Sequence, residues 1–211
     1  MLRILFAELN RTVSGPAIFI DRDGVINRKR VGDYVLDWSQ FVFMPGMRMA
    51  LSQLASLGLP LIVISNQAAV GKRLLDLEGL REITVQMHEA LVAGGTFLAA
   101  AYYCTHRVDE NCICRKPKPG LLYRAADDFN IEVSRSIFIG DSETDVQAAQ
   151  AVGCIPVLFG SDLCGPSDLS GWITGLPCAR TARELREVVV KCLHAIETPA
   201  ANDHAGRRSG S

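Results

Sequence analysis

A short apolar run leads directly into two carboxylates in the stretch AIFIDRDGVIN, residues 17–27. The apolar part predicts a buried strand, and the glycine at position 24 lets the chain turn sharply after it. Asp21 and Asp23 should therefore enter the same crevice. One such carboxylate can attack phosphorus while the other moves a proton, and two neighbouring anions call for a divalent cation. A calcium-binding loop is excluded, because its twelfth position is Gly32 rather than a glutamate.

Strand-like and helix-like patterns alternate outward from this stretch. Further strands are predicted at residues 59–65, 136–141 and 155–159, and the apolar run 97–104 fits either a strand or a helix. Helices are predicted at residues 47–58, 76–93, 119–129, 143–152 and 181–196. The alternation predicts an α/β fold, a doubly wound, Rossmann-like parallel sheet covered on both faces. Ligands of such sheets bind beyond the carboxyl ends of the strands, where Asp21, Ser65 and Asp141 are expected.

The 211 residues fit one domain with short additions. We place that domain at residues 17–197, after an N-terminal extension at 1–16 and before a tail at 198–211 whose composition predicts disorder. Only about 20 residues separate the first motif from the next helix, too few for a folded cap domain. The pocket is therefore expected to be open and roofed by loops.

The charge balance bears on partners and location. With 22 basic and 23 acidic residues the net charge is −1, which disfavours nucleic acid and anionic membrane as partners. The N-terminal apolar run is interrupted by Glu8, Asn10 and Arg11, and it is too short to span a membrane. A cytoplasmic protein is expected, with a small phosphorylated substrate as its partner and a monomer as the favoured state.

Three further motifs carry groups suited to phosphate chemistry. Residues 65–67 (SNQ) follow an apolar strand, so a hydroxyl and a backbone amide there can bind a phosphoryl group. Residues 115–120 (RKPKPG) present Lys116, whose ammonium can neutralise developing charge. Asp141 ends a strand and suits a metal, and Asp145 can support the metal or cap the next helix. Taken singly, these motifs also fit ordinary turns and solvated loops.

A cluster of soft ligands precedes the lysine motif. Four candidate ligands lie within eleven residues, namely Cys104, His106, Cys112 and Cys114. Three thiolates and one imidazole suit tetrahedral zinc with no open position, which is a structural site. Its expected task is to fold the loop that delivers the lysine motif. Unligated cysteines or a redox pair are the alternatives.

Together the four phosphate-chemistry motifs resemble the haloacid dehalogenase superfamily of phosphohydrolases, over about residues 17–159. The resemblance implies that Asp21 is the nucleophile and Asp23 the general acid and base. It implies a phosphate-binding hydroxyl at Ser65 and a charge-stabilising ammonium at Lys116. It also implies a Mg²⁺ ion held by Asp21, Asp141 and the main-chain carbonyl of Asp23.

The zinc loop running into Arg-Lys-Pro, together with DRDGVIN, resembles the D-glycero-D-manno-heptose 1,7-bisphosphate phosphatase branch. This implies removal of the 7-phosphate from that sugar bisphosphate. The resemblance places substrate contacts at Asn27, Asn66, Gln67 and Arg115. The basic residues expected to select a bisphosphate are Arg28, Lys29, Arg30, Lys72, Arg73 and Arg115.

Three alternatives stay open at this point. The histidinol-phosphate phosphatases share the zinc loop, so histidinol phosphate or another small phosphomonoester is one. A signalling receiver domain phosphorylated on aspartate is the second, since it also joins carboxylates, a hydroxyl and a lysine on a doubly wound sheet. A zinc-dependent binding module with an inert pocket is the third.

Overall fold

The computed structural model describes residues 1–7, 14–160 and 175–197. Its seven strands are β1 Leu2–Leu5, β2 Ile18–Ile20, β3 Leu61–Asn66, β4 Ala100–Cys104, β5 Ile137–Gly140, β6 Ile155–Phe159 and β7 Cys178–Ala179. They form one sheet in the order β1-β4-β3-β2-β5-β6-β7. The predicted tail at 198–211 lies outside the described residues.

The sheet confirms the α/β prediction and differs from it at one edge. Neighbouring strands in the series β4-β3-β2-β5-β6-β7 are all parallel, whereas β1 pairs antiparallel with β4. Strand β1 lies in the predicted N-terminal extension. The sequence did not predict it, because four residues that include Arg3 give too weak a periodic signal to identify an edge strand. The ambiguous run at 97–104 provides β4, which is buried along its whole length.

In the described part of the chain, six α-helices accompany the sheet. They are α1 Met47–Ala55, α2 Ala68–Gly71, α3 Leu77–Val92, α4 Gly120–Phe129, α5 Glu143–Gln150 and α6 Ala182–Glu197. Strand β2 shows how the faces are divided: Ile18 and Ile20 join the core with α1, α3 and α6, whereas Phe19 joins the core with α4 and α5. Both faces are thus buried, as a doubly wound sheet requires. Among the described residues, no helix is long and apolar enough to cross a membrane.

The topology brings the carboxyl ends of β4, β3, β2 and β5 side by side. The residues at or just beyond these ends are Cys104, Ser65, Asp21 and Asp141. Residues 21–46, all described, form loops with a single 3₁₀ turn at Trp38–Gln40 and contain no folded cap. Within the described residues, the segment after β2 therefore adds loops rather than a folded cap to this edge.

Candidate active site

Asp21 lies one residue beyond β2 and is 7% exposed. Its backbone N–H donates to the Ile139 carbonyl at 2.9 Å, which ties it to β5. Its Oδ1 accepts from the Arg22 backbone N–H at 2.8 Å and pairs with Lys116 Nζ at 2.9 Å. Burial raises the pKa of Asp21 to about 7, while the Lys116 ammonium acts in the opposite direction. A divalent cation beside this carboxylate would favour its ionised form.

Asp23 is held by three donors. Its Oδ1 accepts from Asn27 Nδ2 at 2.8 Å, and its Oδ2 accepts from Gln67 Nε2 at 2.6 Å. The buried guanidinium of Arg22 donates to both oxygens at 3.0 Å. Burial alone would raise the pKa of Asp23, but the Arg22 charge and the hydrogen bonds from Asn27 and Gln67 outweigh it, so this pKa lies below its usual range. Asp23 is therefore a fixed carboxylate beside Asp21.

Lys116 is a buried ammonium between two carboxylates. Its Nζ lies 2.9 Å from Asp21 Oδ1 and 2.6 Å from Asp145 Oδ1, and it donates to the Ile64 carbonyl at 3.0 Å. Burial alone would lower the pKa of Lys116, but Asp145 and Asp21 outweigh it, so this pKa lies above its usual value. A permanent positive charge thus adjoins Asp21.

The end of β3 positions this lysine. Asn66 exchanges two hydrogen bonds with the backbone of Lys116, one through Nδ2 and one through Oδ1, both at 3.1 Å. Ser65 is buried, and its hydroxyl accepts from Gln67 Nε2 at 3.2 Å. Three amides were predicted as substrate contacts. Asn27 and Gln67 donate hydrogen bonds to Asp23, and Asn66 is hydrogen-bonded to the Lys116 backbone. Their contact with substrate stays a prediction.

Three carboxylates form a cluster that could hold a cation. Asp21, Asp141 and Asp145 each place a carboxylate oxygen within 4.8 Å of those of the other two. Asp141 Oδ1 is buried without a hydrogen-bond partner, which suits a metal ligand. Gly24 makes room here, because a Cβ at this position, where φ is +94°, would lie 2.0 Å from Asp141 Oδ2. Oxygen ligands of this kind fit a hard cation.

Asp145 has a role that the sequence only partly indicated. Its Oδ2 accepts from the backbone N–H groups of Asp141 at 3.2 Å and Ser142 at 3.1 Å, which caps α5. Its Oδ1 pairs with Lys116, as given above. Arg22 was missed altogether, although an arginine between two aspartates is a signal for an ion pair. Asp145 and Arg22 thus fix the charges around Asp21 and Asp23.

The four soft ligands come together at the end of β4. Cys104 Sγ lies 3.6 Å from Cys112 Sγ and 3.6 Å from His106 Nδ1, while Cys114 Sγ lies 3.3 Å from that nitrogen. A tetrahedral zinc site separates its ligand atoms by roughly 3.5–3.8 Å. Burial and the neighbouring Cys104 raise the pKa of Cys114 to about 12, so a cation would favour the ionised form of this thiol. The cluster can therefore hold a metal.

The remaining described cysteines lie outside this cluster. Cys154 and Cys192 are buried free thiols. Cys178 is disulfide-bonded, which its spacing in the sequence did not predict.

A cavity of about 270 Å³ opens above Asp21. Its basic lining comes from Arg22, Lys29, Arg30, Arg115 and Lys116, and its acidic lining includes Asp21, Asp23, Asp33 and Asp145. Arg115 directly follows the cysteine cluster, and it donates to the His106 carbonyl at 3.5 Å. The volume suits a small charged ligand.

Comparison with known proteins identifies the group to which the chain is related. The sequence matches the haloacid dehalogenase-like hydrolases over residues 5–153. The D-glycero-beta-D-manno-heptose-1,7-bisphosphate 7-phosphatase of Pseudomonas aeruginosa is 34% identical over 146 residues, which cover 69% of this chain and 82% of the relative. The D-glycero-alpha-D-manno-heptose-1,7-bisphosphate 7-phosphatase of Mycobacterium tuberculosis is 37% identical over 157 residues, which cover 70% and 81%.

A solved structure agrees with these sequence matches. The D,D-heptose 1,7-bisphosphate phosphatase from B. bronchiseptica, complexed with magnesium and phosphate, superposes with a TM-score of 0.74 at 28% identity. The alignment covers 83% of this chain and 98% of that one. The family match spans most of the domain that carries the carboxylate cluster. The chain therefore belongs to the haloacid dehalogenase-like hydrolases, among which its relatives are phosphatases.

Proposed function

We propose that the chain is a Mg²⁺-dependent phosphatase that removes the 7-phosphate from D-glycero-D-manno-heptose 1,7-bisphosphate. The observation that carries the proposal is the buried Lys116 ammonium between Asp21 and Asp145, with Asp23 beside them. The names of the relatives in Pseudomonas aeruginosa and Mycobacterium tuberculosis support the choice of substrate. We propose a cytoplasmic monomer, and the near-neutral net charge argues against nucleic-acid and anionic-membrane partners.

The proposed nucleophile is Asp21. Its carboxylate attacks phosphorus, forms a phospho-aspartate and breaks the bond from phosphorus to the sugar oxygen. Lys116 offsets charge on the phosphoryl group, and the Ser65 hydroxyl binds one of its oxygens. Water then attacks the phospho-aspartate, which releases phosphate and regenerates Asp21.

Asp23 is the proposed proton carrier. It protonates the leaving sugar oxygen and later accepts a proton from the attacking water. The negative charge of an incoming phosphate raises the pKa of Asp23, which favours the protonated form for the first step. Asn27, Gln67 and Arg22 keep its carboxylate in place for both steps.

We propose two metal sites. Mg²⁺ would be held by Asp21, Asp141 and the main-chain carbonyl of Asp23, and its charge offsets that of the carboxylates and the phosphoryl group. Zn²⁺ would be held by the cluster that ends β4, where it fixes the loop leading to Arg115. The three-thiol, one-imidazole donor set and its spacing support zinc there.

The basic lining of the cavity supports a bisphosphate substrate. Arg115 and the loop that carries Lys29 and Arg30 border the space above Asp21. A substrate with a second phosphate can pair with guanidinium groups that a monophosphate leaves unused. We therefore propose Arg115 as a contact of the phosphate that is retained.

Phosphate release from a substrate panel tests this proposal. The panel contains heptose 1,7-bisphosphate, histidinol phosphate and p-nitrophenyl phosphate, each with and without Mg²⁺. We expect Mg²⁺-dependent release with the highest kcat/KM for the heptose bisphosphate, and loss of turnover in Asp21→Asn. Asp127→Asn, which changes an exposed aspartate on α4, is the control. Full turnover by Asp21→Asn would refute the proposed nucleophile, and a phospho-enzyme that lasts minutes without turnover would favour a receiver domain.

A further inference from the structure

Lys29 connects the loop after the first motif to the carboxylate cluster. Its Nζ lies 2.9 Å from Asp141 Oδ2, although the two residues are 112 positions apart. The side chain of Lys29 is 52% exposed, whereas that of Asp141 is 14% exposed. The contact therefore joins an accessible ammonium to an enclosed carboxylate.

A divalent cation and this ammonium share one carboxylate, because Asp141 Oδ1 is unpartnered and suits the cation while Lys29 pairs with Oδ2. Asp141 belongs to the carboxylate cluster, and the described contacts of its Oδ2 include Lys29 as the only ammonium or guanidinium. Two positive charges on one carboxylate repel each other, so a cation bound by Asp141 weakens its pair with Lys29 and favours release of the lysine. Lys29 can move because half of its side chain is in solvent.

The ammonium released from Asp141 stays beside the cavity above Asp21. Lys29 lines the cavity above Asp21 together with Arg30 and Tyr34 of the same loop. The start of that loop is fixed, since Arg28 N–H donates to the Val42 carbonyl at 2.8 Å. A lysine anchored there reaches a phosphoryl group placed at Asp21, and an ammonium is a strong donor to phosphate oxygens.

We propose that Lys29 is a phosphate-binding residue that exchanges partners: it pairs with Asp141 in the metal-free protein and binds the substrate phosphate once a divalent cation takes that carboxylate. This inference rests on the proposed function, because it requires the cation site and a phosphate at Asp21. It gives Lys29 effects of opposite sign on two ligands. Removing its charge strengthens cation binding and weakens phosphate binding.

Calorimetric titration of Lys29→Gln measures both effects. At low ionic strength, Mn²⁺ should bind the metal-free variant about twofold to fivefold more tightly than the wild type, the size of a half-exposed ion pair. With saturating Mg²⁺, inorganic phosphate should bind the variant about tenfold more weakly. Lys29→Arg should restore both affinities towards those of the wild type.

Lys191→Gln is the matched control. It removes the same charge from another exposed lysine–carboxylate pair, Lys191–Glu187 on α6, and both affinities should stay at the wild-type values. Unchanged or weaker Mn²⁺ binding by Lys29→Gln would overturn the inference, as would unchanged phosphate binding. A wild-type protein that binds no divalent cation would refute the proposed function itself and this inference with it.

Discussion

Side-chain amides hold the groups that are proposed to react, namely Asp23 and Lys116. Asn27 and Gln67 donate to the carboxylate of Asp23, and Asn66 holds the backbone of Lys116 through two hydrogen bonds. A reacting group misplaced by about 1 Å can cost a hundredfold in rate. We therefore expect these amides to affect the reaction whether or not they touch the substrate.

Asn66→Ala tests this positioning. The variant loses both hydrogen bonds to Lys116, so we expect kcat to fall roughly tenfold to a hundredfold while KM changes little. Steady-state phosphate release gives both constants. Gln147→Ala removes a side-chain hydrogen bond on the exposed face of α5 and should behave as the wild type. A rise in KM with kcat unchanged would assign Asn66 to substrate binding instead.

At the residue scale, the sequence predicts the positions of site residues better than it predicts their side-chain partners. The order of the motifs placed Asp21, Ser65 and Asp141 at strand ends, because parallel strands must end at one edge. It could not show that Lys116 pairs with Asp145, since no local pattern relates residues on separate loops. The same holds for Lys29 and Asp141.

At the scale of elements, the turn from β5 into α5 is closely packed. A Cβ added at Gly140 would lie 2.3 Å from Cβ of Asp145, the residue that caps α5 and pairs with Lys116. Because both Cβ atoms are bonded directly to the main chain, they can separate only if the backbone at the start of α5 shifts. The glycine is therefore required by this close approach.

Gly140→Ala should cost about 1–3 kcal/mol of unfolding free energy and reduce phosphate release, because Asp145 is forced away from Lys116. Urea denaturation and initial rates measure the two effects. Gly15→Ala is the matched control, since its added Cβ meets nothing within 4 Å. Wild-type stability in Gly140→Ala would contradict the packing described for this turn.

The loop after β4 carries the four possible zinc ligands. If zinc holds it, Cys112→Ser should lower the zinc content from one ion per chain to none and lower Tm by about 5–10 °C. Metal analysis and thermal unfolding measure this. Cys192→Ser, which changes a buried thiol on α6, should keep the zinc. Wild-type protein without zinc, and a Tm unaffected in Cys112→Ser, would contradict a structural metal.

At the scale of the whole molecule, one ion cluster connects the edge strand β1 to helix α4. Asp128 of α4 accepts from Arg3 at 2.6 Å, Tyr102 at 2.8 Å and Arg124 at 3.1 Å. Burial alone would raise the pKa of Asp128, but these hydrogen bonds outweigh it, so this pKa lies below its usual range. The periodic pattern predicted the central sheet, whereas this edge depends on side chains distant in sequence.

Asp128→Asn should lower the unfolding free energy by about 1–3 kcal/mol at pH 7. Because the folded pKa is depressed, the stabilisation is present above the unfolded pKa and is lost as pH falls through the folded value. The difference from wild type should therefore shrink below about pH 4. Urea denaturation at several pH values measures it, with the exposed Asp127→Asn as control. An equal loss at every pH would contradict the ionic origin.

The activity proposed for the whole protein is hydrolysis of the 7-phosphate ester, with the anomeric phosphate retained. Phosphorus NMR of the α and β anomers of D-glycero-D-manno-heptose 1,7-bisphosphate, incubated with the protein and Mg²⁺, follows each phosphate separately. We predict that the 7-phosphate resonance is replaced by free phosphate while the anomeric phosphate remains, and that omitting Mg²⁺ stops the change. Loss of the anomeric phosphate, or no change in either anomer while histidinol phosphate is hydrolysed, would contradict the account.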